Sequence, residues 1–264
     1  MSRALLSILA IALTMRHDGA VPAATGARAR VRAEITREIL DAARRQLAEQ
    51  GSAALSLRAV AREVGMVSSA VYRYFPSRDS LLTALIVEAY DGLGAAVERA
   101  VAKVPADDLA GRWNAICDRV RRWAIANPHE YALIYGSPVP GYRAPVTTIA
   151  PATRVALVLI QLLLDAQAVG ALAPATLPTP PSPRLRADLD RLSGTFGDVP
   201  DAVVIRALAA WSALFGLVSF ELFGQFHNVI DANADFFAAA SVELAAFVGL
   251  PVKATKRPTR RRSG

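Results

Sequence analysis

The chain of 264 residues is long enough for one large core or two modest ones, and its composition, 53% hydrophobic and 20% charged, suits a compact helical protein. The net charge is +7, but residues 253–264 hold six basic residues and no acid, so the overall charge is weak support for nucleic-acid binding. The single cysteine, Cys117, excludes an intramolecular disulfide and predicts a small core residue. The three histidines are far apart in the sequence, so no metal site is indicated.

The two ends of the chain are expected to lie outside the folded body. An apolar run at residues 5–15 superficially resembles a signal peptide, but it is shorter than the ~20 residues that a membrane-spanning helix needs. We therefore expect residues 1–27 to be a disordered or dispensable extension of a cytoplasmic protein, with membrane anchoring as the alternative. We expect residues 251–264 to form a disordered basic tail, for which non-specific attraction to DNA is the alternative.

Residues 28–50 predict a first helix with a basic start, and the most informative segment follows at residues 56–75, SLRAVAREVGMVSSAVYRYF. The first half of this segment has apolar residues at i, i+3, i+4 and i+7, which indicates one buried stripe on a short helix. Ser56 precedes the stripe and can cap the helix, and Gly65 follows it and can adopt the left-handed conformation that ends a helix. The stripe consists of Leu57, Val60, Ala61 and Val64.

The second half of the segment predicts another short helix that begins near Val67 or Ser68. We expect its buried side to carry Val71, Tyr74 and Phe75. The other side is expected to combine small residues that allow close approach to a DNA groove with donors for phosphates or base edges: Ser68, Ser69, Ala70, Tyr72 and Arg73. Two amphipathic helices joined by glycine occur in many all-α proteins, so this spacing alone does not establish DNA binding.

The neighbouring residues narrow the interpretation. Pro76 ends the second short helix, and Ser77 is expected to cap a long apolar-striped helix that runs to about Lys103. Residues from about 33 to 93 resemble the N-terminal domain of the TetR family of one-component transcriptional regulators. The residues that carry this resemblance are Leu57 to Ala61 with Gly65, then Val71-Tyr72-Arg73-Tyr74-Phe75, then Arg78 with Leu81 and Leu82.

This resemblance implies an all-α protein in which residues 28–93 form a three-helix helix-turn-helix domain, with the third helix as the recognition helix. Residues 107–250 would form a helical bundle for ligand binding and dimerisation. Val67 stands where the family usually has Ser or Thr as a cap, so we expect Ser68 to take over that role. Arg78 stands where Lys is common and keeps the charge for a phosphate. The candidate DNA-binding residues are Ser56, Arg58, Ser68, Ser69, Ala70, Tyr72, Arg73, Tyr74 and Arg78.

The remaining chain predicts further helices at 107–127, 129–135 and 147–169, followed by a proline-rich and mobile loop at residues 170–183. Residues 201–226 predict a helix that is apolar nearly all round, so it must be covered on more than one side. A membrane span is the rival explanation, and the charge-free stretch is judged too short for one. With the helix at 232–248, this segment is the expected homodimer interface, as the resemblance implies.

Trp123, His129 and Gly136 resemble a C-terminal domain type named for such Trp, His and Gly residues, over roughly residues 107–226. This second resemblance implies a regulatory domain without naming its ligand. Aromatic residues could line a pocket for an apolar or aromatic effector, although an aromatic at helical spacing is usually a core residue. His129 could bind an effector or could only cap the short helix. The candidate ligand-binding residues are Trp113, Trp123, His129, Tyr131, Tyr135, Trp211 and Phe215.

The implied function is that of a repressor that binds double-stranded DNA at an inverted-repeat operator and is released by a small-molecule effector of unknown identity. Coupling is expected to run through the helix at 77–103, in which Gly92 and Gly94 serve either as a flexible point or for close packing. The alternative is a dimeric DNA-binding regulator without a ligand. An enzyme lacks support, because the sequence has no Gly-x-Ser-x-Gly elbow, phosphate-binding glycine loop or HExxH spacing, and we expect no cofactor.

Overall fold

The computed structural model describes residues 26–197 and 199–252, and these residues form ten α-helices and no β-strand. The predicted all-α class is confirmed. The predicted N-terminal extension and basic tail lie outside the described residues apart from their innermost two residues. Two 3-10 turns, Ser52–Ala54 and Val146–Thr148, accompany the helices. The helices are α1 (Ala27–Gln50), α2 (Leu57–Glu63), α3 (Ser68–Tyr72), α4 (Arg78–Val101), α5 (Leu109–Ala126), α6 (Pro128–Tyr135), α7 (Ile149–Ala168), α8 (Pro183–Phe196), α9 (Asp201–Leu222) and α10 (Asn233–Val248).

The first core lies between α1, α2, α3 and the N-terminal half of α4. The predicted stripe of α2 turns inward, with Leu57, Val60 and Ala61 buried. Gly65 has a φ of 67°, the left-handed conformation expected where the chain turns from α2 toward α3. The core is completed by residues from the other three helices, including Ile39, Ala43, Val71, Leu81 and Leu82.

Helix α4 connects the first core to the second. Its start is capped as predicted, because the Ser77 hydroxyl accepts a hydrogen bond from the Ser80 N–H at 3.0 Å and the Ser80 hydroxyl accepts one from the Ser77 N–H. A Cβ added to Gly94 would lie only 2.7 Å from the Cβ of Arg154 on α7, whereas one added to Gly92 would meet Trp123 at 3.5 Å. Gly94 therefore permits close packing of α4 against α7.

The second core belongs to a bundle of α4 to α10, in which α4 packs along α5 and α7, and α10 packs against α9 and α5. Cys117 is 1% exposed inside this bundle, which confirms the prediction of a core residue. Burial raises the pKa of its thiol to about 12. Other fully buried members of this core are Leu93, Val97, Ile116, Val120, Leu162 and Leu214.

Two helices differ from the sequence prediction, and the mobility of one loop stays a prediction. Helix α8 was missed, although Leu189, Leu192 and Phe196 follow a helical spacing and are buried. Helix α9 ends four residues earlier than predicted, because Gly224 adopts a φ of 79° and the chain turns. The loop expected to be mobile at 170–183 is attached to the end of α10 by a hydrogen bond from the Ala173 N–H to the Gly249 carbonyl oxygen at 2.8 Å.

Three stretches are long and apolar enough, by length and composition, to cross a membrane: α4, residues 146–168 and α9. The length and composition of α9 alone therefore do not exclude a span, although the charge-free stretch on which the sequence argument rests is shorter than the helix. In the fold all three contribute buried residues to the bundle. Only 33% of the most apolar 18-residue stretch of α9 is buried, so part of its apolar surface remains uncovered in a single chain.

Candidate nucleic-acid interface

The start of α2 is fixed to α1 through Ser56. Its N–H donates to the Gln46 Oε1 at 2.7 Å, and its hydroxyl accepts from the Ala59 N–H at 3.5 Å. Gln46 is itself buried on α1. Ser56 therefore acts as the predicted cap of α2 and also sets the position of this helix relative to α1.

Helix α3 begins without a side-chain cap. Val67 is the N-cap residue, with an extended backbone and no side-chain hydrogen bond, and Ser68 is the first helical residue. The expectation that Ser68 replaces the missing cap is wrong, because this serine lies one position too late. The helical turn continues through hydrogen bonds from the Tyr74 and Phe75 N–H groups to the Val71 carbonyl oxygen, at 2.9 Å and 3.0 Å.

The outward side of α3 offers hydroxyl groups and one guanidinium. Ser69, Tyr72 and Arg73 are exposed, and Ser68 is half-buried beside the exposed Val67. Ala70 is only 8% exposed and lies on the inner side with Val71, so its side chain has little surface for a contact with DNA. Short polar side chains beside a guanidinium suit phosphates and base edges in a groove.

Tyr74 is held from the side of α1. The guanidinium of Arg32 lies over its ring, with 4.8 Å from Cζ to the ring centroid. Such a cation–π contact contributes roughly 0.5–1 kcal/mol at an exposed site. One face of the half-buried Tyr74 ring is thus occupied by the protein, which gives this residue a positioning role at the end of α3.

The geometry of Arg78 does not match the phosphate contact expected from the sequence. Its Nη2 donates to the Ser52 carbonyl oxygen at 2.8 Å and its Nε to the Leu55 carbonyl oxygen at 3.2 Å. These oxygens belong to the turn between α1 and α2. Arg78 therefore fastens α4 to that turn with donors that the prediction had assigned to DNA.

The charges of the N-terminal domain divide into paired and unpaired groups. Arg45 bonds Glu63, and Arg44 bonds Asp41 and Glu88. Within the part of the chain that the structure describes, Arg58, Arg62 and Arg73 are exposed and have no carboxylate partner. The basic groups free to attract a phosphate backbone thus lie on α2, directly after α3 and along α1, where Arg28, Arg30 and Arg37 are exposed and form no salt bridge within the described residues.

Two of the candidate ligand-binding residues are fully engaged in the core. Trp113 is 3% exposed and donates from Nε1 to the Ser241 carbonyl oxygen at 2.8 Å. Tyr131 is 0% exposed, and its hydroxyl lies 2.9 Å from both the Phe215 carbonyl oxygen and the Ser219 hydroxyl. Trp113 thus links α5 to α10, and Tyr131 links α6 to α9.

The other candidates divide into a cluster and two separate residues. The cluster consists of Tyr135, Phe215 and Trp211. The Phe215 ring lies between the other two rings of the cluster, with its centroid 4.2 Å from that of Tyr135 and 4.5 Å from that of Trp211. Trp123 packs beside Gly92 on α4. His129 is exposed in the first turn of α6 and provides no side-chain cap there.

Burial favours the neutral hydroxyl group in the tyrosines of this cluster and next to it. Burial raises the pKa of Tyr131 and of Tyr90 to about 12, and the pKa of Tyr135 well above its ordinary value. Tyr90, on α4, meets the Tyr135 ring edge-on at 6.0 Å. It was not among the predicted residues, and nothing in its local sequence separates it from other core aromatics.

A cavity of about 230 Å³ lies elsewhere, at the turn between α9 and α10. Sequence analysis gave no signal for it, because it depends on how this turn folds back on the end of α9. None of the candidate ligand-binding residues lines it. The lining residues are Glu221, Gly224, Phe226, His227, Asn228, Ile230, Asp231 and Asn233.

Comparison with known families gives two matches, one over the helices of the first core and one over the helices of the second. Residues 39–85 match the profile of bacterial regulatory proteins of the tetR family. Residues 113–244 match the profile of a tetracyclin repressor-like C-terminal domain. This second match supports a regulatory domain of that general type and does not single out the Trp-His-Gly type.

Individual relatives agree with these profiles. The chain is 43% identical over 205 residues to an HTH-type transcriptional regulator of Mycobacterium tuberculosis, covering 76% of this chain and 86% of that protein. It is 47% identical over 76 residues to the HTH-type transcriptional repressor LfrR of Mycolicibacterium smegmatis, covering 29% and 37%. The crystal structure of protein SCO4313 is 36% identical, has a TM-score of 0.67, and covers 84% of this chain and all of that one.

Proposed function

Because the chain belongs to the TetR family and is a DNA-binding transcriptional regulator, we propose that it is a repressor that a small apolar or aromatic effector releases from an inverted-repeat operator. The observation that carries the operator binding is the outward side of α3, where Ser69, Tyr72 and Arg73 are exposed together. The relative LfrR, a transcriptional repressor, supports the direction of regulation.

The DNA contacts are assigned by exposure. Ser69, Tyr72 and Arg73 enter the major groove from α3, with Ser68 and the backbone of Ala70 close to the DNA. Arg58 on α2 reaches a phosphate from the flank. Ser56, Tyr74 and Arg78 act indirectly, because their polar groups or rings are already bound within the domain.

A homodimer through residues 201–226 and 232–248 accounts for the uncovered apolar surface of the bundle. Phe220, Phe223 and Phe247 are each close to half exposed, at 51%, 47% and 46%. Large apolar side chains left exposed on both helices are what a dimer interface would cover. A two-fold axis between these helices would place two α3 helices about 34–36 Å apart, the spacing of successive major grooves on one face of B-DNA.

The effector is proposed to act at the aromatic cluster of Tyr135, Phe215 and Trp211, between α6 and α9. Its rings are in direct contact, and Tyr135 and Trp211 are only half-buried. An apolar or aromatic molecule that separates these rings would favour a bundle with a different α4 position. The operator and the effector would then compete through this population shift.

The proposed domains are a DNA-binding domain at 28–93 and a regulatory and dimerisation domain at 107–250. We place the protein in the cytoplasm, where its DNA lies, and assign it no membrane partner. The remaining alternative is a dimeric regulator that responds to no ligand, favoured by the close ring contacts of the cluster. An effector screen separates these two.

The test combines a thermal-shift screen of apolar and aromatic compounds with a gel-shift assay on DNA from upstream of the gene. A hit should raise the Tm and weaken the gel shift, and the Trp211→Ala variant should lose both effects. The matched control is Trp123→Ala, because Trp123 packs outside the ring stack. If no compound raises the Tm while the DNA is still bound specifically, the ligand-independent alternative replaces the proposal.

A further inference from the structure

A short strap after α6, residues 136–145 with the sequence GSPVPGYRAP, lies against the DNA-binding domain rather than against the bundle from which it starts. Val139 is only 8% exposed and is a member of the first core, the one built by α1 to α4. Tyr142 packs against the same core. The regulatory domain thus contributes side chains to the interior of the DNA-binding domain.

A polar contact fixes the far end of the strap. The Tyr142 hydroxyl lies 2.9 Å from the Thr83 Oγ1 on α4, and this threonine donates its own hydrogen to the Asp79 carbonyl oxygen at 2.8 Å. Tyr142 is therefore the donor in the pair. Both groups are partly shielded from water, so the hydrogen bond restricts where the strap sits on α4.

The strap is stiff for its length. Pro138, Pro140 and Pro145 each fix a backbone φ angle. Gly141 has a φ of 78°, and the Tyr142 N–H donates to the Val139 carbonyl oxygen at 3.2 Å, which closes a turn. This turn presents Val139 and Tyr142 to the same core. Because the strap is stiff, a displacement of α6 would move Val139 and Tyr142 with it.

The beginning of the strap leads directly to the aromatic cluster. Ile134 packs against both cores, and its carbonyl oxygen accepts a hydrogen bond from the Tyr90 hydroxyl at 3.3 Å. Tyr135, the next residue, stacks on Phe215 of α9. A continuous set of contacts therefore joins α9 to the core of the DNA-binding domain without passing along the axis of α4.

We infer that this strap is an additional tether that sets the orientation of the DNA-binding domain on the bundle, with Val139 and Tyr142 as positioning residues. Helix α4 joins the domain to the bundle, and α6 touches α1, where the Arg44 Nε lies 3.9 Å from the Glu130 Oε1. An attachment through Val139 and Tyr142 restricts the tilt that these contacts alone would allow. The inference rests on the DNA-binding function and does not require an effector.

The test measures the orientation directly, by the distance between spin labels at Glu49→Cys on α1 and Gln161→Cys on α7, both exposed positions. Labelled protein is diluted into unlabelled protein, and Cys117 stays native because it is buried and its thiol pKa is about 12. The test variants are Val139→Ala and Tyr142→Phe. The matched control is Val155→Ala, which removes the same two methyl groups from a buried site in the second core.

We expect both strap variants to broaden the distance distribution at a temperature at which far-UV circular dichroism shows them folded. Binding to upstream DNA should weaken about 2- to 30-fold, the range for changes along a coupled contact network. Val155→Ala should lower the Tm and leave the distribution narrow. Tyr142→Phe keeps the ring, so it serves if Val139→Ala fails to fold. Unchanged distributions in the strap variants, or equal broadening in Val155→Ala, would overturn the inference whether or not DNA or an effector binds.

Discussion

The Arg78 Nη2 donates to the Ser52 carbonyl oxygen at 2.8 Å, so the first residue of α4 is bonded directly to the turn between α1 and α2. The start of α2 lies at the same place, because Ser56 caps α2 directly after this turn. The three-helix domain is therefore stabilised at the point where α1, α2 and α4 meet. DNA affinity should depend on Arg78 through the shape of the domain.

Substitution of Arg78 should lower the stability of the DNA-binding domain. Arg78→Ala leaves the Leu55 carbonyl oxygen without the Arg78 donor and the Ser52 carbonyl oxygen with only the Leu55 N–H at 3.4 Å, and we expect a loss of about 1–2 kcal/mol in the free energy of unfolding. Denaturant unfolding measures the loss. Arg62→Ala is the matched control, since Arg62 is exposed on α2 without a carboxylate partner among the described residues. An unfolding midpoint that moves equally in both variants would contradict the assigned role.

Arg73 should contribute to DNA binding through charge. Arg73→Ala should weaken binding to different DNA sequences by similar factors and lower the slope of log K against log salt by about 0.9, as expected for one lost phosphate contact. Lys103→Ala, an exposed charge just after α4, is the control and should leave the slope unchanged. A slope that stays the same in Arg73→Ala would show that this guanidinium does not neutralise a phosphate.

The two glycines of α4 should respond oppositely to alanine. Gly94→Ala places a methyl group 2.7 Å from the Cβ of Arg154, whose guanidinium is held by Asp91 and Glu98, so α7 must move. We expect a destabilisation of about 1–3 kcal/mol. Gly92→Ala meets Trp123 at an ordinary contact distance of 3.5 Å and should stabilise by about 0.5–1 kcal/mol through helix propensity. Tm measurements on both variants decide, and a destabilised Gly92→Ala would contradict this difference.

Stability should fall at high pH because of buried tyrosines. The pKa values of Tyr90 and Tyr131 are raised from an ordinary 10.0 to about 12 by burial, so the neutral hydroxyl is favoured in the folded state. Their contribution is complete below pH 10 and is lost as the pH rises from 10 to 12, where the unfolded chain ionises first. Urea unfolding at stepped pH measures this. The decrease should be shallower in Tyr90→Phe, and an unchanged profile in that variant would refute the assignment.

The parts of the fold that sequence analysis predicted correctly are those set by short-range patterns. The stripe of α2, the turn at Gly65 and the cap at Ser77 each depend on residues within about two helical turns, and all three are confirmed. Helix α8 also has a local pattern from which it is predictable, since Leu189, Leu192 and Phe196 fall on one side of a helix.

The features of the site that sequence analysis did not predict come from contacts between distant residues. The guanidinium of Arg78 is drawn to carbonyl oxygens more than twenty residues earlier, and Val139 packs into a core built by α1 to α4. The hydroxyl of the buried Tyr131 donates to the Phe215 carbonyl oxygen on α9, more than eighty residues later. No local spacing specifies such partners, so residue type alone overestimated how many polar and aromatic groups were free to bind DNA or an effector.

The most direct test of the central claim is a nuclease footprint of the purified protein on DNA from upstream of its gene, at several salt concentrations. Dimeric DNA binding through α3 predicts protection of an inverted repeat whose half-site centres lie about 34–36 Å apart, retained at moderate salt. Ser69→Ala and Arg73→Ala should reduce this protection. The absence of any sequence-specific, salt-resistant protection would contradict the account.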